Sequence, residues 1–285
     1  MFYSPLRYPG GKQKLAKFIS QICIDNNTRG HYVEPYAGGA SVALHLLLEG
    51  KVNHVTINDY DRALYAFWWC VLNRTNQLCK LIELTPVTVD KWREMKEVQL
   101  RKNKARLMEL GFSTLFLNRT NRSGILNAGI IGGYAQKGEY KIDCRFNKSE
   151  IISRIKLIAK HKKNISVTNM DAVKLIEHIG QSSNNDDTIF YFDPPYYLKG
   201  PRLYLNSYQH DDHIEVSEKI KSIKQIRWIV SYDNHPEIKK MYNWVAKEQA
   251  IDFNIQHSAY ENRKGKEVVF LSENIKPDFS LLNNL

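Results

Sequence analysis

The sharpest chemical signal in the chain is Asp193-Pro194-Pro195-Tyr196, set directly after the apolar run TIFYF at 188–192. If that run is a strand of a parallel sheet, the tetrapeptide sits at its carboxyl end, where open α/β sheets bind ligands. Two prolines fix the backbone and remove two N–H donors, which leaves carbonyl oxygens as acceptors. Such a site suits an amine conjugated to a ring, whose nitrogen lone pair is delocalised and poorly nucleophilic. The Asp193 carboxylate and the Pro194 carbonyl, each accepting one amine hydrogen, draw the nitrogen toward a tetrahedral, attacking form. Tyr196 offers a flat face for a base. The matching reaction is direct displacement of a methyl group from a sulfonium, driven by positioning and polarisation. The plainer alternative is a rigid turn with an aspartate cap. A base inside a duplex reaches such a pocket only when flipped out.

A second constellation lies near the start. Glu34-Pro35-Tyr36-Ala37-Gly38-Gly39-Ala40 separates a strand candidate from a helix candidate. Glycines there let a nucleoside-type ligand approach the backbone, and the helix N-terminus favours a carboxylate. Asp59 follows Gly38 by 21 residues at the end of the next strand candidate, where an acid typically grips ribose hydroxyls. Both features also occur as ordinary turns. Pro9-Gly10-Gly11-Lys12 lacks the first glycine and the Ser/Thr of a phosphate loop, so it gives poor support to ATP binding. Lys12 reads either as a partner for the carboxylate of an amino-acid-like cofactor or as a solvated lysine opening a helix.

These residues need a scaffold, and the pattern supplies one. Strand candidates at 31–34, 54–57, 165–167, 188–192, 227–230 and 267–271 alternate with helix-like runs at 41–49, 171–179 and 214–223. Alternation of this kind predicts an α/β fold with a largely parallel sheet covered on both faces. Between them, residues 62–160 read mostly as helix, with a glycine-rich loop at 124–138. Segments 1–61 and 161–285 are therefore expected to form one catalytic domain, interrupted by a helical insertion at 62–160. Charge singles out the same stretch. Of the net +11, residues 62–163 hold 21 Lys+Arg against 8 Asp+Glu, a balance of +13, while the remainder is slightly acidic. That asymmetry is the footprint of a polyanion such as nucleic acid, the alternative being a solubilising helical surface.

Composition removes other classes. A chain of 285 residues, 43% hydrophobic and 25% charged, matches an ordinary globular protein rather than a disordered or fibrous one. The longest apolar run, 63–72, is about half a membrane span. The first residues lack the apolar region of a secretion signal, so a cytoplasmic location is expected, in a bacterium or as a phage product. Cys23, Cys70, Cys79 and Cys144 are scattered, which argues against a disulfide framework or a structural zinc site. The run His210-Asp211-Asp212-His213 holds metal-ligand types but reads better as a helix cap, and no metal is expected. Phe67-Trp68-Trp69, inside an apolar run, reads as buried packing rather than a stacking platform.

With these residues in view, the chain resembles the Dam-type DNA adenine methyltransferases, the group with the cofactor motif first and the catalytic motif late. The likeness rests on SPLRYPGGK at 4–12, VEPYAGGASVAL at 33–44, TINDYD at 56–61, FLNRTNRSGI at 116–125, FYFDPPY at 190–196 and VSYDN at 230–234. It implies a Rossmann-like methyltransferase domain with a DNA-recognition insertion, and methyl transfer from S-adenosylmethionine to the N6 amine of a flipped-out adenine in double-stranded DNA. Carried over residue by residue, it implies cofactor contacts from Tyr8, Lys12, Tyr36, Ala37, Gly38, Gly39, Asp59, Asp171 and Asp193, with a helix N-cap as the alternative for Asp171. Asp193, Pro194 and Tyr196 would receive the adenine. Asn118, Arg119 and Arg122 would lie beside the target base and the DNA backbone, a role suited to arginine's two-pronged geometry. Arg101, Lys102, Lys104 and Arg106 would meet phosphates or form a solvated face.

Two other functions fit parts of the pattern. The tetrapeptide suits any planar amine, so RNA or a protein glutamine is a rival substrate, although the basic insertion favours DNA. A catalytically silent DNA-binding methylase scaffold is the other rival, and the intact tetrapeptide and glycine turn argue against it. Site specificity would bring a cognate restriction endonuclease or another defence partner, as in restriction-modification, around a monomer or weak dimer.

Overall fold

The computed structural model describes residues 2–7, 12–181, 186–197, 208–256, 264–276 and 278–282. The described chain divides into two compact units. One contains Lys12–Tyr60 and the chain from Asn164 onward; the other contains Asp61–Lys163 together with the first residues of the chain. Phe2 to Arg7 thus go with the helical unit, whereas the sequence pattern had grouped residues 1–61.

The first unit is built on a seven-stranded sheet. Its strands are β1 His31–Glu34, β2 His54–Asn58, β3 Ile165–Thr168, β4 Thr188–Phe192, β5 Arg227–Asp233, β6 Ala250–Gln256 and β7 Lys264–Leu271. They lie in the order β3-β2-β1-β4-β5-β7-β6, with β7 antiparallel to its neighbours β5 and β6 and every other pair parallel. The chain runs outward from β1 in one direction and from β4 in the other. The switch point is therefore the β1–β4 boundary, where Val33 pairs with Phe190, and the crevice outside the strand ends there is the place where such sheets bind ligands.

Side chains alternate across this sheet. On one face Val33, Phe190, Phe192, Trp228, Val230, Tyr232, Val268 and Phe270 form a buried core. Three helices cover it: Leu175, Ile176 and Ile179 come from Ala172–Gly180, Val216 and Ile220 from His210–Ser222, and Ile238 from Pro236–Met241. The other face is served by α1 (Ala16–Asp25) and α2 (Ser41–Leu48), of which α2 packs on β1 and β2. The sheet, its direction and both helical layers match the expected α/β architecture. The run at 210–213 opens its helix through a capping box between Gln209 and Asp212, in line with the cap reading.

The second unit is helical: α3 Arg62–Asn73, α4 Thr75–Leu84, α5 Val89–Leu100, α6 Leu107–Thr120 and α7 Lys148–Lys160. α3 and α6 cross closely. A Cβ on Gly111 would stand 2.6 Å from the Ala66 carbonyl oxygen, so only glycine lets these backbones meet. Phe67 and Trp68 are fully buried there, as packing residues. Among the described residues no helix is long and apolar enough to cross a membrane.

Candidate active site

Three strand ends build the site on the sheet. Asp193 leaves β4 with its side chain 21% exposed, and its two carboxylate oxygens have different surroundings. Oδ1 is tied down: Ser231 Oγ on β5 donates to it at 3.1 Å, and the Lys12 ammonium stands 3.3 Å away. Tyr191, on the strand before it, meets Ser231 at 2.8 Å. Oδ2 has no partner among the described residues, so one oxygen is anchored and the other is open to accept. Burial pushes the carboxyl up to about 6, with Lys12 pulling it down and Glu267 adding to the rise. At neutral pH it is ionised and only lightly neutralised, which makes it a strong acceptor.

Lys12 is not solvated. It is 4% exposed in a 3-10 turn, Lys12–Leu15, with its Nζ 2.7 Å from Glu267 Oε2 and 3.1 Å from Tyr196 OH. Burial would lower its pKa, but Asp193, Tyr196 and Glu267 outweigh that and hold it well above the usual lysine range. Tyr196 is also buried, its hydroxyl donating to Glu267 Oε1 at 2.5 Å and its ring lying beneath the lysine. The ring after it, Tyr197, is half-buried and packs against His235 with centroids 4.7 Å apart. The Tyr197 backbone N–H donates to Asp233 Oδ1 at 3.0 Å. β5 thus fixes both ends of the tetrapeptide through Ser231 and Asp233, two residues apart on one face of the strand.

The turn after β1 makes the other half. Ala37 N–H donates to the Asn58 carbonyl, and Gly38 N–H donates to Asp59 Oδ2 at 3.0 Å. Gly38 and Ala40 have φ of 48° and 47°, left-handed values that glycine adopts freely and alanine does not. Asn58, fully buried, uses both amide hydrogens on the Pro35 and Met170 carbonyls, while its oxygen accepts from Thr168 and Met170. One side chain therefore knits the ends of β1, β2 and β3. α2 begins directly after this turn; its N-cap residue Ala40 offers no side-chain acceptor, and the Glu34 carboxylate takes the Ala43 N–H of its first turn instead. Glu34 is buried against Tyr32 OH and Ala43 N–H at 2.9 Å each. Burial pushes its carboxyl up to about 8, against the pull of those two donors. Tyr36 joins hydroxyls with Tyr208 at 2.8 Å. A tight turn with left-handed backbone, a helix N-terminus directly after it and an acid at the next strand end fits a nucleoside bearing an amino-acid tail. Among the described residues no group of metal-ligating side chains is large enough to hold an ion.

The structure brings Lys12 and Asp193 together on the sheet, and places Tyr36 to Gly39 and Asp59 around one turn. Asp171 caps the helix Ala172–Gly180, accepting from Val173 and Lys174 through one oxygen. Tyr8 lies outside the described residues. In the helical unit Asn118 and Arg119 are buried and serve the fold. Asn118 accepts from Arg7 N–H and donates to the Arg7 and Gly124 carbonyls at 2.7–2.8 Å. Gly124 packs so closely on Arg7 that a Cβ would lie 2.1 Å from its carbonyl oxygen. Arg119 donates to the Pro5 carbonyl, and burial first, then Arg154 and Arg7, lower its pKa to about 10. Arg122 alone of the three is exposed, and its guanidinium has no partner among the described residues. Sequence reasoning missed Ser231, Asp233 and Glu267; VSYDN at 230–234 carried a signal for the first two.

A family model for D12 class N6 adenine-specific DNA methyltransferase matches residues 8–258. The type II methyltransferase M.MjaIII of Methanocaldococcus jannaschii is 24% identical over 207 residues, covering 67% of this chain and 68% of that protein. A solved rRNA methyltransferase, aviRa from Streptomyces viridochromogenes, is 12% identical with a TM-score of 0.40, covering 94% of this chain and 88% of that one. The family match spans most of the length, with the tetrapeptide and the glycine turn inside it. The chain belongs to the D12 class of N6 adenine-specific DNA methyltransferases, enzymes that place a methyl group from S-adenosylmethionine on adenine in DNA.

Proposed function

We propose that Asp193 Oδ2 and the Pro194 carbonyl accept the two N6 hydrogens of an adenine turned out of a DNA duplex. The observation that carries this reading is the asymmetry of Asp193, anchored through Oδ1 and open at Oδ2. When bound, S-adenosylmethionine would supply the methyl group: its carbon–sulfur bond would break as the N6–carbon bond forms, with the thioether as leaving group and one N6 proton passing to solvent. Accepting both hydrogens localises the nitrogen lone pair and directs it away from the ring plane. Ser231 and Lys12 hold the carboxylate in place, so no reorientation is needed during the reaction. With Tyr196 buried, the half-buried Tyr197 is the aromatic ring beside the tetrapeptide better able to face the base.

The donor would lie over the turn at Tyr36 to Gly39, with its ribose toward Asp59 and its amino-acid end toward the α2 N-terminus. Lys12, held by carboxylates, steadies Asp193 and does so whether or not it also meets the donor. Asp171 stands at the β3 end beside this turn's anchor, Met170, with one oxygen left over from capping. In the basic helical unit, Arg122 is the candidate for direct DNA contact, while Asn118 and Arg119 hold the segment before Tyr8. This reading extends to methylation at a defined site in the cytoplasm, paired with a cognate endonuclease; the similarity to a type II methyltransferase supports the methylation.

Base flipping is tested with 2-aminopurine. Once the methylated adenine is mapped, 2-aminopurine replaces it in a short duplex. Fluorescence should rise several-fold on binding, because the probe leaves the stack. Fluorescence that stays at the free-duplex level while the protein binds would refute the flipped-base reading.

A further inference from the structure

Glu267 lies on β7, away in sequence from every motif discussed above, yet it touches two of the residues around Asp193. It is 1% exposed. Its Oε2 meets Lys12 Nζ at 2.7 Å, and its Oε1 accepts from Tyr196 OH at 2.5 Å. Its backbone pairs with Asp233, the residue that fixes Tyr197. The lysine stands nearer to Glu267 than to Asp193, at 2.7 Å against 3.3 Å. One cation is thus shared by two carboxylates, and the tighter pair is the one with no open oxygen.

We propose that Glu267 is a positioning residue for methyl transfer: by holding the Lys12 ammonium and the Tyr196 hydroxyl, it keeps the cation from closing fully onto Asp193. A carboxylate locked in a complete ion pair is a weaker acceptor for a neutral amine, and one with no cation nearby is costly to bury ionised. Sharing Lys12 leaves Asp193 ionised and still basic at Oδ2. The groups that act on Asp193 are Lys12 from the 3-10 turn, Glu267 from β7, Ser231 and Tyr232 from β5, Tyr191 from β4 and Glu34 from β1, with Tyr196 bound to Lys12 and Glu267. Among them Glu267 adds to the upward push on the Asp193 carboxyl and Lys12 opposes it. This inference rests on Asp193 being the amine acceptor.

The test is Glu267→Gln, which keeps the side-chain shape and an acceptor for Tyr196, measured by single-turnover DNA methylation from pH 5 to 9 beside wild type and Asp193→Asn. In Glu267→Gln the rate should fall about tenfold or more with little change in DNA affinity. The acid limb of its pH profile should move below the wild-type position near pH 6, because Lys12 then acts on Asp193 alone. A wild-type rate, or a lowered rate with an unmoved acid limb, overturns the inference and leaves Glu267 a structural partner of Lys12. If Glu267→Gln does not fold, Glu267→Asp is read instead: it keeps the charge but draws back the carboxylate. Its rate should fall and its acid limb should move down in the same direction by a smaller step, because Lys12 is then freer to close on Asp193; a wild-type rate, or a lowered rate with an unmoved limb, would overturn the inference. Full activity in Asp193→Asn would remove the underlying reading, a separate outcome from failure of Glu267.

Discussion

Replacing Lys12 by methionine removes one charge from the centre of the site and keeps most of the side chain's length. The lysine contacts Asp193 at 3.3 Å, Glu267 at 2.7 Å and Tyr196 OH at 3.1 Å, at 4% exposure. Without it two carboxylates remain in a buried pocket with no cation, and breaking a buried pair in this way costs about 3–5 kcal/mol. For a unit of this size that lowers the melting temperature by about 6–20 °C. The loss must depend on pH. Asp193 already titrates near 6, above the ordinary carboxylate value, because burial and Glu267 outweigh Lys12. Losing the lysine raises its folded-state pKa further, so the folded variant binds protons that the unfolded chain releases. A raised carboxyl contributes stability that is present below its unfolded pKa and lost as pH rises through the folded one. The deficit of Lys12→Met should therefore be smallest near pH 5 and full by pH 8. Urea unfolding followed by near-ultraviolet circular dichroism at those two pH values measures it. A deficit under about 0.5 kcal/mol, or one equal at both pH values, would refute the buried ion-pair account.

Four further substitutions test other parts of the molecule. Glu34, raised from 4.5 to about 8 by burial, withholds stability as pH climbs through that window, so Glu34→Gln should be more stable than wild type at pH 8 by about 2–5 kcal/mol and equal to it near pH 4.5; denaturation midpoints at the two pH values decide it. Gly111→Ala should cost about 1–3 kcal/mol despite alanine's better helix propensity, because its Cβ would meet the Ala66 carbonyl oxygen at 2.6 Å. Arg122→Ala should weaken DNA binding by about 1–3 kcal/mol with an unchanged melting temperature, whereas Asn118→Ala should lower the melting temperature first; filter binding and calorimetry on the two variants separate the roles.

The strand positions were legible because each is a short apolar run bounded by turn residues, and Thr188–Phe192 falls where the pattern places it. β6 does carry a strand signal, Ile251, Phe253 and Ile255 alternating with polar residues, but a search for continuous apolar runs passes over it. The tetrapeptide and the glycine turn could be read because their chemistry is local: prolines, glycines and an acid at fixed offsets. Glu267 could not, since its partners lie 71 and 255 residues away and only the sheet order brings β7 beside β5. Asn118 and Arg119 show a different limit. Polar residues in a basic segment suggest a ligand, but here backbone carbonyls of residues 5, 7 and 124 take their donors. Burial decides between those roles, and burial is a property of the folded chain.

The central claim is that Asp193 accepts a hydrogen bond from the adenine amine during transfer. The direct measurement mixes protein, methyl-labelled S-adenosylmethionine and unmethylated duplex DNA, digests the DNA to nucleosides, and repeats this with Asp193→Ala. The account predicts label in N6-methyladenine with wild type and almost none with the variant at comparable DNA affinity, since the lost contact acts in the transition state. Methylation by Asp193→Ala at the wild-type rate would contradict it.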